Sequence, residues 1–393
     1  MTRSRPNTII GPPAEGTKYL ARPKLQKGLW EAILNGEHII LTAPRRVGKT
    51  SVMMALAAQI KPEAILIYEN IESDGSSREF YQRLQRLLIE HLSTKDRLTG
   101  AMRDWFRSRT LTGASIKSVT IAKVELDPKA ELLALVKALG AEPYRVVLML
   151  DEFPEVLMAI RKKEGEDAAL DILHTLREIR HSADFKNFST VIAGSIGLQH
   201  VVSMMGRLTT INDTRTIDIP VLTEAEAQEL LDLMLNEATI QLDGPTRQHM
   251  LNAVGHLLPF HLQLLTVEID RLAEFQKNDT VTPAMVDEAA DRVVRMNDKF
   301  QDWELRLTQY LPKADTEYCM AVLTRCAHWP SNTVQQAYDL SKTIIPERSY
   351  MALIQDVLEK DGYIAQQGNQ LVFLSPFLRR WWANRHPAHE ISN

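Results

Sequence analysis

The stretch Ile39-Ile40-Leu41-Thr42-Ala43-Pro44-Arg45-Arg46-Val47-Gly48-Lys49-Thr50-Ser51 constrains this chain more than any other. An apolar run feeds a short loop that ends in Gly-Lys-Thr and opens a helix. The pattern G-x-x-x-x-G-K-[ST] fits from position 43, with Ala43 in place of the first glycine. Gly48 lets the backbone turn so that amide N–H groups point inward at phosphate oxygens, and the helix behind adds its positive end. The stretch therefore reads as a phosphate-binding P-loop, with Pro44, Arg45, Arg46, Val47, Gly48, Lys49, Thr50 and Ser51 around the phosphates. Lys49 reaches the outer phosphates and Thr50 holds Mg²⁺.

Strand and helix patterns alternate from there to residue 220, and that alternation requires a parallel sheet with right-handed crossovers. A short helix runs to about Asn35, and strands are expected near 38–42, 64–68, 144–150, 189–193 and 214–219. Between them, helix 77–93 carries Phe80, Leu84, Leu87, Leu88 and Leu92 on one stripe, helix 129–140 precedes the third strand, and helix 166–182 holds Leu173 and Leu176. Residues 99–128 break the pattern: Ile116, Val119, Ile121 and Val124 alternate with polar residues like an exposed hairpin, so this segment reads as an insertion. The domain reading is an α/β core over 1–220, an all-helical lid over 221–296, a charged connector over 297–314, a winged helix over 315–385 and a short tail over 386–393. Thr223 with Glu226 three residues on marks a capped start to the lid. In the last unit, helices near 315–328, 332–341 and 347–361 precede a hairpin around Gln367-Gly368-Asn369 and a helix through Trp381 and Trp382.

In open α/β sheets ligands sit at the carboxyl ends of the strands. Three polar strand ends are expected there: Glu69, Asp151-Glu152 and Gly194-Ser195. Asp151 is placed to bind Mg²⁺, and Glu152 to polarise a water for attack on a γ-phosphate. Phosphoryl transfer needs mostly positioning and charge neutralisation, so these carboxylates, Lys49 and the metal form a sufficient core. Ser195 is either a γ-phosphate sensor or a turn serine. Arg177, Arg180, Arg207 and Arg215 are candidates for a transition-state arginine or surface ion-pair residues. The junction Gly255-His256-Leu257-Leu258-Pro259-Phe260 is either a kink or a contact from His256 or Pro259 to nucleotide.

Charges nearly cancel, with 46 Lys+Arg against 50 Asp+Glu, so the whole-chain field demands no polyelectrolyte partner. No apolar run approaches the 18 or so residues of a membrane span, and a cytoplasmic protein is expected. Cys319 and Cys326, seven apart on an expected helix, read as core thiols.

Together, Pro44-Arg45-Arg46-Val47-Gly48-Lys49-Thr50, Asp151-Glu152-Phe153-Pro154, Leu176-Arg177-Glu178-Ile179-Arg180, Ala193-Gly194-Ser195-Ile196-Gly197-Leu198 and Pro259-Phe260 with Gln263 resemble the archaeal-type P-loop ATPases. These are AAA+ relatives close to the STAND signalling ATPases. The resemblance extends to Ser375-Pro376-Phe377-Leu378-Arg379-Arg380-Trp381-Trp382 at the end of the winged helix. It implies a five-stranded core, a helical lid and ATP as the nucleotide. The sequence departs from the pattern at Ala43, and the lid has no obvious arginine at the usual second-sensor position.

The leading expectation is an ATP-hydrolysing switch, alternating between ATP and ADP, that engages a protein partner; self-assembly is compatible with it. The competing one is a DNA-associated ATPase that reads duplex DNA through the winged helix. Charge separates them: across 315–385 there are seven basic and seven acidic residues, and the expected reading helix carries Asp356, Glu359 and Asp361. A DNA reader normally shows a basic face. A nucleotide-binding scaffold without turnover is the third reading, and it requires Glu152 to be misplaced.

Overall fold

The computed structural model describes residues 3–93, 105, 127–194, 197–329, 332–346 and 349–388. The chain divides into two compact units. One comprises Pro23–Thr42 and Val52–Asp218; the other is assembled from Met1–Arg22, Ala43–Ser51 and Ile219–Asn393.

The first unit is built on a five-stranded parallel sheet, β1 Ile39–Thr42, β2 Ala64–Asn70, β3 Arg145–Asp151, β4 Phe188–Ala193 and β5 Arg215–Asp218, in the order β2-β3-β4-β1-β5. Apolar runs such as Val146-Val147-Leu148-Met149-Leu150 make the inner strands buried along their length, as a sheet covered on both faces requires. The edge strand β5 is largely exposed and reads Arg-Thr-Ile-Asp. The helices of this part of the chain are α1 Pro23–Leu34, α2 Lys49–Ala57, α3 Ser77–Ser93, α4 Pro128–Gly140, α5 Phe153–Glu164, α6 Glu166–His181 and α7 Leu198–Met204. The expected stripe of α3 is buried at Phe80, Leu84, Leu87 and Leu88. The Phe80 ring meets Phe153 at the start of α5, with centroids 5.9 Å apart. Burying such a ring contributes about 1.5–3 kcal/mol, and here it anchors the residue that follows Glu152.

Helix α5 is not among the elements read from the sequence; Pro154 lies in its first turn, where the missing N–H costs nothing. The insertion over 99–128 falls almost wholly outside the described residues.

The second unit is helical: α8 Glu224–Leu235, α9 Gly244–Val254, α10 Pro259–Gln276, α11 Pro283–Val294, α12 Asn297–Tyr310, α13 Lys313–His328, α14 Val334–Ile344 and α15 Tyr350–Ala352, which continues as π-helix over Leu353–Glu359. The antiparallel hairpin β6 Ile364–Gln367 and β7 Gln370–Phe373 follows, then α16 Pro376–Arg385. The capping box expected at Thr223 and Glu226 is present. Residues 297–314, expected to be a connector, are instead helix from Asn297 to Tyr310. Their charges hide an apolar face, Phe300, Trp303 and Leu307, that is buried. Phe300 stacks on Trp381 at 6.0 Å, Trp303 meets Tyr363 edge-on at 5.2 Å, and the Tyr363 hydroxyl donates to the Trp303 carbonyl at 2.6 Å. The two cysteines are free and buried on α13, as expected of core thiols.

The amino-terminal arm belongs to this unit. Arg3 pairs with Asp270 at 2.7 Å, Arg5 with Asp270 at 2.8 Å and with Glu274 at 2.7 Å, and the Ile9 amide donates to the Gln263 side chain at 2.6 Å.

Candidate functional site

The loop after β1 turns through two residues of left-handed backbone. Gly48 has φ +93°, a value that only glycine adopts without strain. Arg46 has φ +65°, and among the described residues just two other non-glycine positions share that region, Glu152 and Lys277. Strained backbone of this kind costs on the order of 1–3 kcal/mol and clusters at functional sites. Two of the three fall on the motifs singled out in the sequence.

Val47 is buried and anchors the loop, and Lys49 and Thr50 open α2. Ser51 is buried, and its Oγ accepts from the Ala14 amide of the arm at 2.8 Å. The arginines before it are engaged from outside the loop. Arg45 and Arg46 both reach Asp302 Oδ2 on α12, at 3.0 and 2.8 Å. The Arg46 guanidinium also lies 4.7 Å from the centroid of Phe260, next to Pro259 at the first turn of α10. The sequence places Arg45 among the phosphate-binding residues. Its amide instead donates to the Asp361 carbonyl at 3.4 Å. Burial, with Arg306 and Arg46 nearby, pushes the Arg45 pKa down.

The sheet positions the carboxylates. Leu150 pairs with Ile192 of β4, and Ala193 pairs with Leu41 of β1, so Asp151 stands level with the end of β1, from which the loop departs. Asp151 is 0% exposed. Its Oδ1 accepts from the Glu152 amide at 3.2 Å, and its Oδ2 accepts from the Tyr68 hydroxyl at 3.4 Å. Tyr68 is a site residue that sequence reasoning passed over; it immediately precedes Glu69 at the end of β2. Burial and the Asp151 charge push its pKa well up, so it remains a donor.

Glu152, at φ +62°, turns the chain from β3 into α5. The neighbouring strand end is closely packed on that turn: a Cβ at Gly194 would lie 2.3 Å from Pro154 Cδ and 2.9 Å from Glu155 Oε2. Gly194 is therefore the residue type that permits the end of β4 to lie against the start of α5. Ser195 lies outside the described residues.

Most of the remaining candidates have ion-pair partners of their own. Glu69 is tied to Arg83 at 2.9 Å, which also binds Asp74 at 2.7 Å. Arg180 is 4% exposed and binds Asp213 through two contacts, at 2.7 and 3.1 Å, and the Thr210 carbonyl. Arg177 reaches Asn212 at 3.2 Å and Asp213 at 3.9 Å. Arg215 pairs with Glu37 at 2.8 Å at the amino end of β5, the edge of the sheet away from the strand ends carrying Asp151. Arg207 is exposed. His256 is mostly buried, which pushes its pKa below the usual value and keeps it neutral.

Taken singly, Thr50 and Asp151 each carry hard oxygen donors of the type Mg²⁺ takes in small number, and the amino end of the nine-residue α2 offers N–H groups to an anion.

The family model described as "AAA domain" matches residues 34–202. Residues 34–202 are thus similar to the AAA domain family and carry the AAA+ P-loop fold. The AAA+ match spans β1 to α7 and takes in the loop, Asp151, Glu152 and Gly194. No curated protein matches the sequence. Among solved structures, the AAA+ fold is shared with the Walker-type ATPase of Pyrococcus abyssi, at 16% identity and TM-score 0.65, covering 95% of this chain and 99% of that one. It is shared also with the ORC2 protein of Aeropyrum pernix, solved with ADPNP and ADP, at 14% identity and TM-score 0.51, covering 99% of this chain and 97% of that one. No described helix is long and apolar enough to cross a membrane.

Proposed function

We propose that this protein is a Mg²⁺-dependent, ATP-hydrolysing switch whose nucleotide state governs engagement of a protein partner in the cytoplasm. The observation that carries this reading is the placement of Asp151, followed by Glu152, at the carboxyl end of β3, level across β4 with the end of β1, the strand that feeds the Gly48-Lys49-Thr50 loop. Lys49 would neutralise the outer phosphates, and Thr50 and Asp151 would hold Mg²⁺, which when bound would supply charge neutralisation of the transferring phosphoryl group. Glu152 accepts a proton from the attacking water, and Tyr68 holds the Asp151 carboxylate in place. Phe260, which follows Pro259, is the lid residue whose ring the Arg46 guanidinium faces. We read the elements from α13 to α16, with the β6–β7 hairpin, as a winged helix. With equal numbers of acidic and basic residues in that segment, a protein partner is favoured over duplex DNA.

Glu152→Gln tests the mechanism. The variant is expected to keep ATP affinity and lose about 10²–10⁴ in turnover, the usual worth of a general base. Undiminished turnover would remove Glu152 from the chemistry. Lys49→Ala, measured alongside, is expected to lose nucleotide binding itself.

A further inference from the structure

Arg45 and Arg46 are two of the three cations of the phosphate-binding loop, with Lys49, and one carboxylate, Asp302, serves both of them. Arg306, paired with Asp361 at 3.5 Å, lies in the same cluster and is a further positive neighbour of Arg45. The Nε atoms of Arg45 and Arg46 are buried without a hydrogen-bond partner. The same stretch of chain also grips the backbone of the loop: the Arg45 amide donates to the Asp361 carbonyl, and a Cβ at Gly362 would lie 2.8 Å from Cβ of Pro44. The C-terminal elements thus hold the outer side of the loop by one shared ion pair and a close backbone approach.

Phosphate groups bound by Gly48, Lys49 and Thr50 would add negative charge within a few residues of these arginines. That charge and the Asp302 carboxylate are attracted to the same two guanidiniums and repel each other. We propose that Asp302 is an electrostatic latch that competes with bound nucleotide for Arg45 and Arg46, so that nucleotide binding loosens α12 and removal of the Asp302 charge tightens nucleotide binding. This rests on the reading of the loop as a nucleotide site and names the residues through which that site reaches the C-terminal elements. Coupling between two sites is reciprocal: the factor by which nucleotide weakens the latch equals the factor by which the latch weakens nucleotide. Asp302 is 38% exposed, so solvent screens it. The expected coupling is about five- to tenfold, the low end for coupled sites.

The experiment uses the full chain, with Mg²⁺ and a fluorescent ADP or ATP analogue, titrated at low and high ionic strength. Asp302→Asn is expected to bind about five- to tenfold more tightly than the parent chain, Asp302→Glu to bind like the parent, and the difference to shrink as salt rises. Hydrogen exchange on the unmutated protein gives a second readout, with faster exchange across 297–310 expected once nucleotide is bound. Equal or weaker binding by Asp302→Asn, or exchange across 297–310 that nucleotide does not accelerate, would overturn the latch and leave the nucleotide site standing. A parent chain that binds no nucleotide at all, matching Lys49→Ala, would overturn both.

Discussion

Asp213 and Asp302 are each shared between two arginines, one in each compact unit of the chain. Asp213 takes Arg180 through both carboxylate oxygens, with Arg177 more distant, and the Arg180 guanidinium also binds the Thr210 carbonyl. That is a satisfied arrangement on regular backbone. Asp302 offers one oxygen to both Arg45 and Arg46, while their Nε atoms stay unpartnered and Arg46 sits in left-handed backbone. The same residue types therefore make a structural tie in one place and an unbalanced contact in the other. A satisfied bidentate pair resists change, whereas a carboxylate divided between two cations can be displaced by a stronger anion.

The comparison is broken most directly by deletion of one partner. Arg180→Ala leaves Asp213 without its bidentate partner, and a loss of about 3 kcal/mol in urea unfolding is expected, the low end for a broken buried pair because Asp213 keeps 23% exposure. Nucleotide affinity should not move; a fall in affinity without loss of stability would make Arg180 a site residue after all. Next in size is Gly194→Ala, which forces a Cβ onto Pro154; overpacking of this sort costs about 1–3 kcal/mol and should displace Glu152 as well. Turnover falling more steeply than the unfolding free energy would be its signature.

Acid sharpens the contrast further. Burial alone would raise the Asp213 carboxyl, but the hydrogen bonds and charge of Arg180 hold it below its ordinary 3.8. A depressed folded-state value means that the stabilisation is complete above the unfolded value and is lost as pH falls through the folded one. The tie should thus persist to below pH 3.8, and carboxyl titration by NMR should show the Asp213 midpoint rise in Arg180→Ala. The smallest effect is expected at the other aspartate: Asp302→Ala should cost about 1 kcal/mol or less in stability, as partly exposed pairs do. A cost as large as that of Arg180→Ala would show Asp302 to be structural and would erase the distinction.

Much of the sheet was readable from the chain alone, because buried parallel strands are written as unbroken apolar runs; β3 and β4 are clear for that reason. β5 was marked only weakly, since Arg215-Thr216-Ile217-Asp218 lies on an exposed edge. Helix α12 was misread because Asp298, Lys299, Asp302, Glu304 and Arg306 surround Phe300, Trp303 and Leu307, and the i, i+3, i+7 spacing of the apolar residues was outweighed by charge. In the site, Gly48, Asp151 and Glu152 announce themselves through local pattern. Tyr68 does not, since its role depends on strand register with β3. Asp302 has no local signal either: nothing near it in sequence indicates that its carboxylate meets residues 257 positions away.

That separation has a consequence in time. Polypeptides are made at about 5–20 residues per second, so the 257 residues between Arg45 and Asp302 take roughly 13–50 s to follow the loop out of the ribosome. Throughout that interval β1, the loop and α2 exist without the carboxylate that later restrains their arginines. The newborn chain therefore has its phosphate-binding loop before it has the means to restrain it, and the hold on the loop is made long after the loop itself.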